Sequence, residues 1–313
     1  MGILDIIVTH YNEPWSVVRP FFDMLNCQRG VSFNDFRVIL VHDGGKAFPE
    51  EYFRDGMCAV QQIVIEHAGV SAARNAGLKL ATAKWVNFCD CDDRYTNIYS
   101  LREVMSCMNR DADYMWTPFI IENVKNDDLT ANTREENIVW IHGKYFRREW
   151  LLENEIFFPE NIHFSEDSVF CSIVNELAQP MRRGKIRTDF PVYSWVYRDD
   201  SVTTDPKNEY KNTMEFLERN FCVVEEFRKR KLNHVPMVGR MFTDAYIIFH
   251  QRDRKFTEEE ARFSKRAKEY LPDLEKNDTE TMRKIMSASK KGFMSAQMDD
   301  SEWFGDWVRR IAG

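Results

Sequence analysis

The stretch 88-FCDCDDRYT-96 sets Asp90, Asp92 and Asp93 within four residues, directly after an apolar run, with Cys89 and Cys91 among them. Side chains alternate along a strand, so Asp90 and Asp92 point the same way if the extended conformation persists to the strand end. Two carboxylates converging on one point repel unless a cation lies between them. Oxygen ligands on a loop suit Mg²⁺ or Mn²⁺, and such an ion suits a phosphate-bearing substrate. A second reading stands beside it: an acidic turn that caps the following helix, with Asp93 as the cap. The same alternation turns both cysteines away from the acids, where they read as small buried hydrophobes.

Other polar groups gather at matching places. Thr9-His10-Tyr11-Asn12-Glu13-Pro14 follows one apolar run, Asp43-Gly44-Gly45 follows a second, and Arg74 comes early in an alanine-rich helix. A pyrimidine base needs a flat stacking partner and an acceptor for its imide N–H, and a pyrophosphate needs a cation. Tyr11, Asp43, Arg74 and a metal on the acids would meet those needs. A further acid pair, Glu166-Asp167, stands in 164-FSEDS-168, where it either complements a helix dipole or does chemistry.

These residues need a frame. Residues 3–9, 36–41, 63–65 and 85–89 read as short buried strands, with helices over 15–25 and 71–80, the latter with Ser71 as its expected N-cap. A helix near 98–109 and a strand over 114–121 continue the series, and 122–137 reads as an exposed excursion or hairpin. Alternating strands and helices predict an α/β domain with a mainly parallel sheet, whose ligands bind beyond the carboxyl ends of the strands. From about residue 208 the pattern turns to amphipathic helices over 235–249, 258–270 and 279–289. The expected division is therefore a catalytic domain over 1–207 and a helical domain over 208–313, the latter serving acceptor binding, oligomerisation or membrane docking.

Four blocks in this order resemble the family-2 glycosyltransferases of the GT-A fold: VTHYNE, VHDGG, GVSAARNAGLKLATAKWVNFCDCDD and IHGKYFRREWLLENEIFFPENIHFSEDSVF. They cover roughly residues 3–204. The resemblance implies a Rossmann-like GT-A domain that transfers a sugar, hexose or N-acetylhexosamine, from a UDP-sugar to a hydroxyl of a glycan, lipid-linked or protein acceptor, with inversion. It implies nucleotide-sugar binding by Thr9, Tyr11, Glu13, Asp43, Arg74 and Asp90. Asp92 becomes the direct ligand of Mn²⁺ or Mg²⁺ with Asp90 beside it, and Asp167, next to Glu166, becomes the general base. His142 and Lys144 of the H-G-K block, with Trp116, fall at the sugar or acceptor side.

The chain departs from the family at His10 and His42, where small or acidic residues are usual, and it has no histidine over 191–203, where many members place one near the metal. Arg198 and Asp200 stand there instead, toward the pyrophosphate and the metal respectively. Two rival readings stand beside this one. Haloacid-dehalogenase-like phosphatases also use an apolar strand followed by DxD, but their motif opens the domain and is followed by Thr or Val where this chain has Arg94. A non-catalytic nucleotide-sugar-binding module is the other.

Bulk properties narrow the class. A net charge of −7 disfavours a nucleic-acid backbone as partner. Seven scattered cysteines without a CxxC pair suggest neither a disulfide framework nor a zinc site, and fit a cytoplasmic protein. There is no signal-peptide pattern, no myristoylation pattern (Ile6 stands where Ser or Thr is needed) and no run approaching the ~20 apolar residues of a membrane span. The basic runs 182–187 and 228–231 read as solvated faces that could meet an anionic acceptor. The stripe of Trp303, Phe304, Trp307, Val308 and Ile311 reads as a surface that docks on the protein itself or a partner, or as peripheral membrane contact.

Overall fold

The computed structural model describes residues 2–108, 111–125, 128–135, 139–178, 185–187, 190–198, 206–251, 256–292 and 302–313. The chain forms two compact units, 1–208 and 209–313. In the first, the described elements run β1 (Leu4–His10), α1 (Trp15–Asn26), β2 (Phe36–Asp43), β3 (Ala59–Ile65), α2 (Val70–Leu80), β4 (Trp85–Asp90), β5 (Arg94–Tyr95), α3 (Ser100–Cys107), β6 (Tyr114–Trp116), β7 (Phe119–Lys125), β8 (Asp128–Arg134), β9 (Lys144–Arg147), α4 (Arg148–Glu153), α5 (Glu166–Ala178), β10 (Lys185–Arg187) and β11 (Tyr193–Tyr197).

Among the described residues, seven strands form the main sheet in the order β10-β6-β9-β4-β1-β2-β3. Strands β3, β2, β1 and β4 are parallel, and β9 runs against its neighbours β4 and β6. Every residue of β1 is buried, as a central strand covered on both faces requires. The chain leaves β1 toward β2 and β3, then returns to the other side of β1 with β4, so the strand order reverses beside β1. A crevice opens at such a reversal, beyond the carboxyl ends of the two strands, and Thr9 and Asp90 sit opposite each other there.

Helix α2 packs very closely on this sheet because Gly77 has no side chain. A Cβ added there would lie 2.3 Å from Cγ2 of Ile7 and 3.3 Å from Cγ2 of Val41. We expect Gly77→Ala to destabilise the unit by roughly 1–3 kcal/mol, as overpacking does, read as a lower melting temperature at unchanged helix content.

Two expectations change. The strand over 114–121 is divided: Thr117-Pro118 breaks it, since proline lacks an N–H for the ladder. β6 stays in the main sheet while β7 enters a second sheet, ordered β5-β11-β7-β8, in which β7 and β8 form a hairpin over part of the expected excursion. Ser71 is not the cap of α2. Gly69, at φ +95°, holds the N-cap position, and the Ser71 hydroxyl is buried in the first turn without a hydrogen-bond partner.

The second unit is helical: α6 (Glu209–Lys229), α7 (Val235–Phe249), α8 (Thr257–Ala267), α9 (Leu271–Leu274), α10 (Thr279–Gly292) and α11 (Phe304–Ala312). Leu217, Phe221 and Val224 of α6 meet Met241, Phe242 and Ala245 of α7 in its core. The aromatic stripe of α11 joins that core through Trp307 and Ile311, and the Trp307 indole N–H donates to Glu260 at 2.6 Å; Trp303 is exposed. In the run 228–231, Arg228 pairs with Asp273 at 2.6 Å and Arg230 with Glu226 at 3.2 Å. Residues 182–184 of the other basic run lie outside the described residues. Among the described residues no helix is long and apolar enough to cross a membrane.

Candidate active site

The site grows from Arg74. Its helix carries it under the crevice, where it is buried and its guanidinium joins two acids: Nη2 to Asp90 Oδ1 at 2.9 Å and Nη1 to Glu166 Oε1 at 2.5 Å. Asp90 comes from the end of β4 and Glu166 from the first turn of α5, so one cation fixes the DxD strand to the second acid pair. Asp90 also accepts from the Thr9 hydroxyl at 3.3 Å. Burial pushes the Asp90 carboxyl up, but Arg74, aided by Thr9, wins and holds it below the ordinary range. Arg74 thus lies beneath the acids, set back from the open crevice.

Asp92 does not continue the strand. The chain turns at the end of β4, with the Asp93 N–H donating to the Asp90 carbonyl at 3.2 Å. The alternation that would align Asp90 with Asp92 therefore stops at Asp90. Asp92 pairs with Arg198 at 2.9 Å. Burial and the neighbouring Asp90 charge, opposed by Arg198, push its carboxyl up to about 6. Asp93 goes inward, accepting from the Tyr193 hydroxyl at 2.6 Å and the Val196 N–H at 2.9 Å, and so ties this turn to β11. It serves the second sheet rather than capping α3.

Among the described residues, Asp90, Asp93 and His142 bring ligand atoms within 4.8 Å of one another. The His142 ring stacks on Tyr193 and Trp195. An imidazole thus reaches β11 from the H-G-K block, although β11 itself has no histidine. Burial pushes this ring down to about 4, so it is neutral at pH 7, the form that ligates metals.

Asp167, in the first turn of α5, accepts from the Ile141 N–H at 3.3 Å. Burial and the adjacent Glu166 push it up to about 7, with Arg74 and Lys144 opposing. Ser165, just before the pair, is held at φ +62°, a left-handed conformation that costs a non-glycine residue free energy. Strain of that kind is typical of positions where side-chain placement matters more than local comfort. Asn75, which the sequence reading passed over, anchors the same region: it donates to the Phe158 carbonyl and accepts from the Phe158 N–H, both at 2.9 Å. An asparagine directly after Arg74 was the available signal.

On the other side of the crevice, Glu13 accepts from the Tyr11 N–H at 2.8 Å, and the Cys91 thiol rests against the same carboxylate at 3.5 Å. Tyr11 is half exposed, and its ring stacks on His67 at 4.4 Å. Asp43 is engaged by the loop before α2, accepting from Ala68 N–H at 2.8 Å, Gly69 N–H at 2.9 Å and His67 Nδ1 at 2.9 Å. Lys144 stands close enough to Asp167 to oppose its rise. It is fully buried and donates to the Trp140 carbonyl at 2.5 Å. Trp116 sits half-buried on β6, paired in register with Lys144. Cys89 and Cys91 are buried and their thiols are pushed well up by burial, so they are neutral packing groups. Asp200 lies outside the described residues.

A mainly parallel sheet with a reversal beside its first strand, acids at the reversal and a small second sheet defines the GT-A class of glycosyltransferase domain. The chain belongs to glycosyl transferase family 2, whose profile matches residues 5–167, and it is a glycosyltransferase. Among curated relatives, the uncharacterized glycosyltransferase EpsJ of Bacillus subtilis (strain 168) is 24% identical over 276 residues, which cover 80% of this chain and 76% of EpsJ. Among solved structures, S. aureus TarS matches with a TM-score of 0.63 at 15% identity, over 99% of this chain and 55% of that one, so the chain spans about half of that TarS. A TarS fragment, residues 1-349 in complex with UDP, matches at 0.61 and 15% identity over 96% of this chain and 98% of the fragment. At these identities the likeness shows the fold.

Proposed function

We propose that the chain transfers a sugar from a UDP-sugar to an acceptor hydroxyl with inversion, using a divalent cation. The observation that carries this reading is the Arg74 bridge, which puts Asp90 and the Glu166-Asp167 pair in one site. The UDP held by the similar TarS fragment supports a UDP donor. A hexose or N-acetylhexosamine fits the family. The acceptor is a glycan, a lipid-linked molecule or a protein, with the helical unit serving its binding, self-association or membrane docking.

In this reading Tyr11 offers the exposed face on which a base stacks, and Glu13 fixes the loop that carries it. Asp90 and His142 fit a metal, their ligand atoms lying within 4.8 Å of one another and of Asp93; Asp92 stands beside Asp90, whose charge raises it, and pairs with Arg198. Asp90 and Asp92 would hold Mn²⁺ or Mg²⁺, with His142 near Asp90, and the ion would neutralise charge on the leaving diphosphate. Arg198 would turn from Asp92 to the pyrophosphate. Asp167 takes the proton of the acceptor hydroxyl as that oxygen attacks the anomeric carbon from the face opposite the diphosphate.

The test is release of UDP from UDP-sugars by the full chain with Mn²⁺ and with EDTA, in the parent and in Asp92→Asn. Loss of turnover in EDTA and in the variant is expected, with a fall of about 10²-fold or more for one preorganised charge-stabilising group. Turnover that ignores both would remove the cation and Asp92 from the account. Release of inorganic phosphate from a phosphate ester would favour the phosphatase reading instead.

A further inference from the structure

The two histidines that depart from the family pattern form a hydrogen-bonded chain whose proton count can be fixed. His10 Nδ1 and His42 Nδ1 lie 2.9 Å apart. His10 Nε2 is 2.9 Å from the Glu13 carbonyl oxygen, and His42 Nε2 is 2.9 Å from Gln62 Oε1. The Gln62 amide is oriented by Phe48, whose N–H donates to Oε1 and whose carbonyl accepts from Nε2, both at 3.0 Å. Both ends of the chain are therefore acceptors. Each end needs an N–H, and the Nδ1 to Nδ1 bond needs a third. Two neutral imidazoles carry two N–H groups between them, so the chain closes only with one added proton.

We propose that the His10–His42 pair carries one positive charge and, through the Glu13 carbonyl, positions the loop 11–13 for the nucleotide. This rests on the reading that Tyr11 meets the base. Tyr11, Asn12 and Glu13 form a tight turn, with Asn12 at φ +63° and the Glu13 side chain closing back on the Tyr11 N–H. Loss of the proton leaves one of the three contacts without a hydrogen. The contact to Glu13 is the one a loop can relieve by moving.

The surroundings suit a cation at the His10 ring. Glu13 Oε2 lies 3.9 Å from His10 Nε2. Among the described residues, the other ring and hydrogen-bond contacts to the pair from neighbouring elements are neutral: Phe48 against both rings and Gln62 of β3. Asp43, next to His42 in the chain, is taken by His67, Ala68 and Gly69. The Glu13 carboxylate beside Nε2 favours the added proton on the His10 ring, which leaves His42 as the neutral Nε2–H tautomer.

Two measurements on the full chain test this. The first is a long-range ¹H–¹⁵N correlation on histidine-labelled parent without ligand. At pH 6 we expect one ring protonated on both nitrogens and its neighbour on one, the pair becoming neutral as pH rises toward 9; two neutral rings throughout would overturn the proposal. The second is the Kd of UDP with Mn²⁺ at pH 6 and pH 9, in the parent and in His42→Asn and His42→Gln. Their amide NH₂ carries two donor hydrogens and closes the chain without an added proton. Comparison at each pH cancels titration of UDP itself. The parent should lose about tenfold more affinity than the variants over this range, the worth of one hydrogen bond to a charged group. Parallel pH profiles would overturn the positioning role alone. Absence of UDP binding by the parent at every pH would overturn the nucleotide reading as well, and ligand-free ring protonation tells the two failures apart.

Discussion

Asp167→Asn should lower kcat by about 10²–10⁴-fold, the usual worth of a positioned general base, while the Kd for UDP changes little. Asparagine preserves the size of the side chain and its acceptor oxygen for the Ile141 N–H, so the entry to α5 is kept and the proton acceptor is lost. The pH dependence adds a second signature. The parent carboxyl is pushed up to about 7 by burial and by Glu166. It must be deprotonated to act, so kcat should be half-maximal near pH 7 and fall about tenfold for each unit below it. The residual rate of the variant should lack that limb. Equal rates at pH 8 in parent and variant would remove Asp167 from catalysis.

Arg74→Met should have the largest effect on stability. Removing a buried partner leaves Asp90 and Glu166 facing each other uncompensated, a loss of roughly 3–5 kcal/mol for a buried pair. The lower end applies, since the Asp90 side chain is 31% exposed while that of Glu166 is 10% exposed. The sign with pH follows from Asp90, whose carboxyl Arg74 holds low. A depressed carboxyl stabilises the fold above its unfolded value near ~3.9 and stops doing so as pH falls through the folded value. The difference between parent and variant should therefore be greatest near neutral pH and shrink in acid. Because the chain has two units, hydrogen exchange of the β1 and β4 amides is the better readout than a single melting temperature. An additional Glu166→Gln should recover part of the loss. Unchanged protection in Arg74→Met would show that the bridge does not hold the strand ends together.

The sheet was legible because its strands are short, apolar and separated by helical periods, and because GT-A domains place polar residues at strand ends. Arg74, Asp90, Glu166 and Asp167 were all named from motif order, and the structure gathers them around one guanidinium. What failed in the reading depended on backbone direction. Alternation aligned Asp90 with Asp92, but a turn at Asp90 sends Asp93 inward and Asp92 to Arg198. Pro118 moved half of one expected strand into a second sheet. Lys144 was named from the H-G-K block as lining the sugar or acceptor side; inside the fold its ammonium donates to the Trp140 carbonyl. His10 and His42 were recognised as departures, but their meaning lay in a pairing across β1 and β2 and in the orientation of Gln62, neither of which spacing can reveal.

The most direct test of the central claim is the anomeric configuration of the sugar released when water replaces the acceptor. The parent enzyme would be supplied with an α-linked UDP-sugar and Mn²⁺, and the first product followed by proton NMR before mutarotation. A single displacement assisted by Asp167 gives the β-anomer, the result this account expects. Initial release of the α-anomer would contradict it.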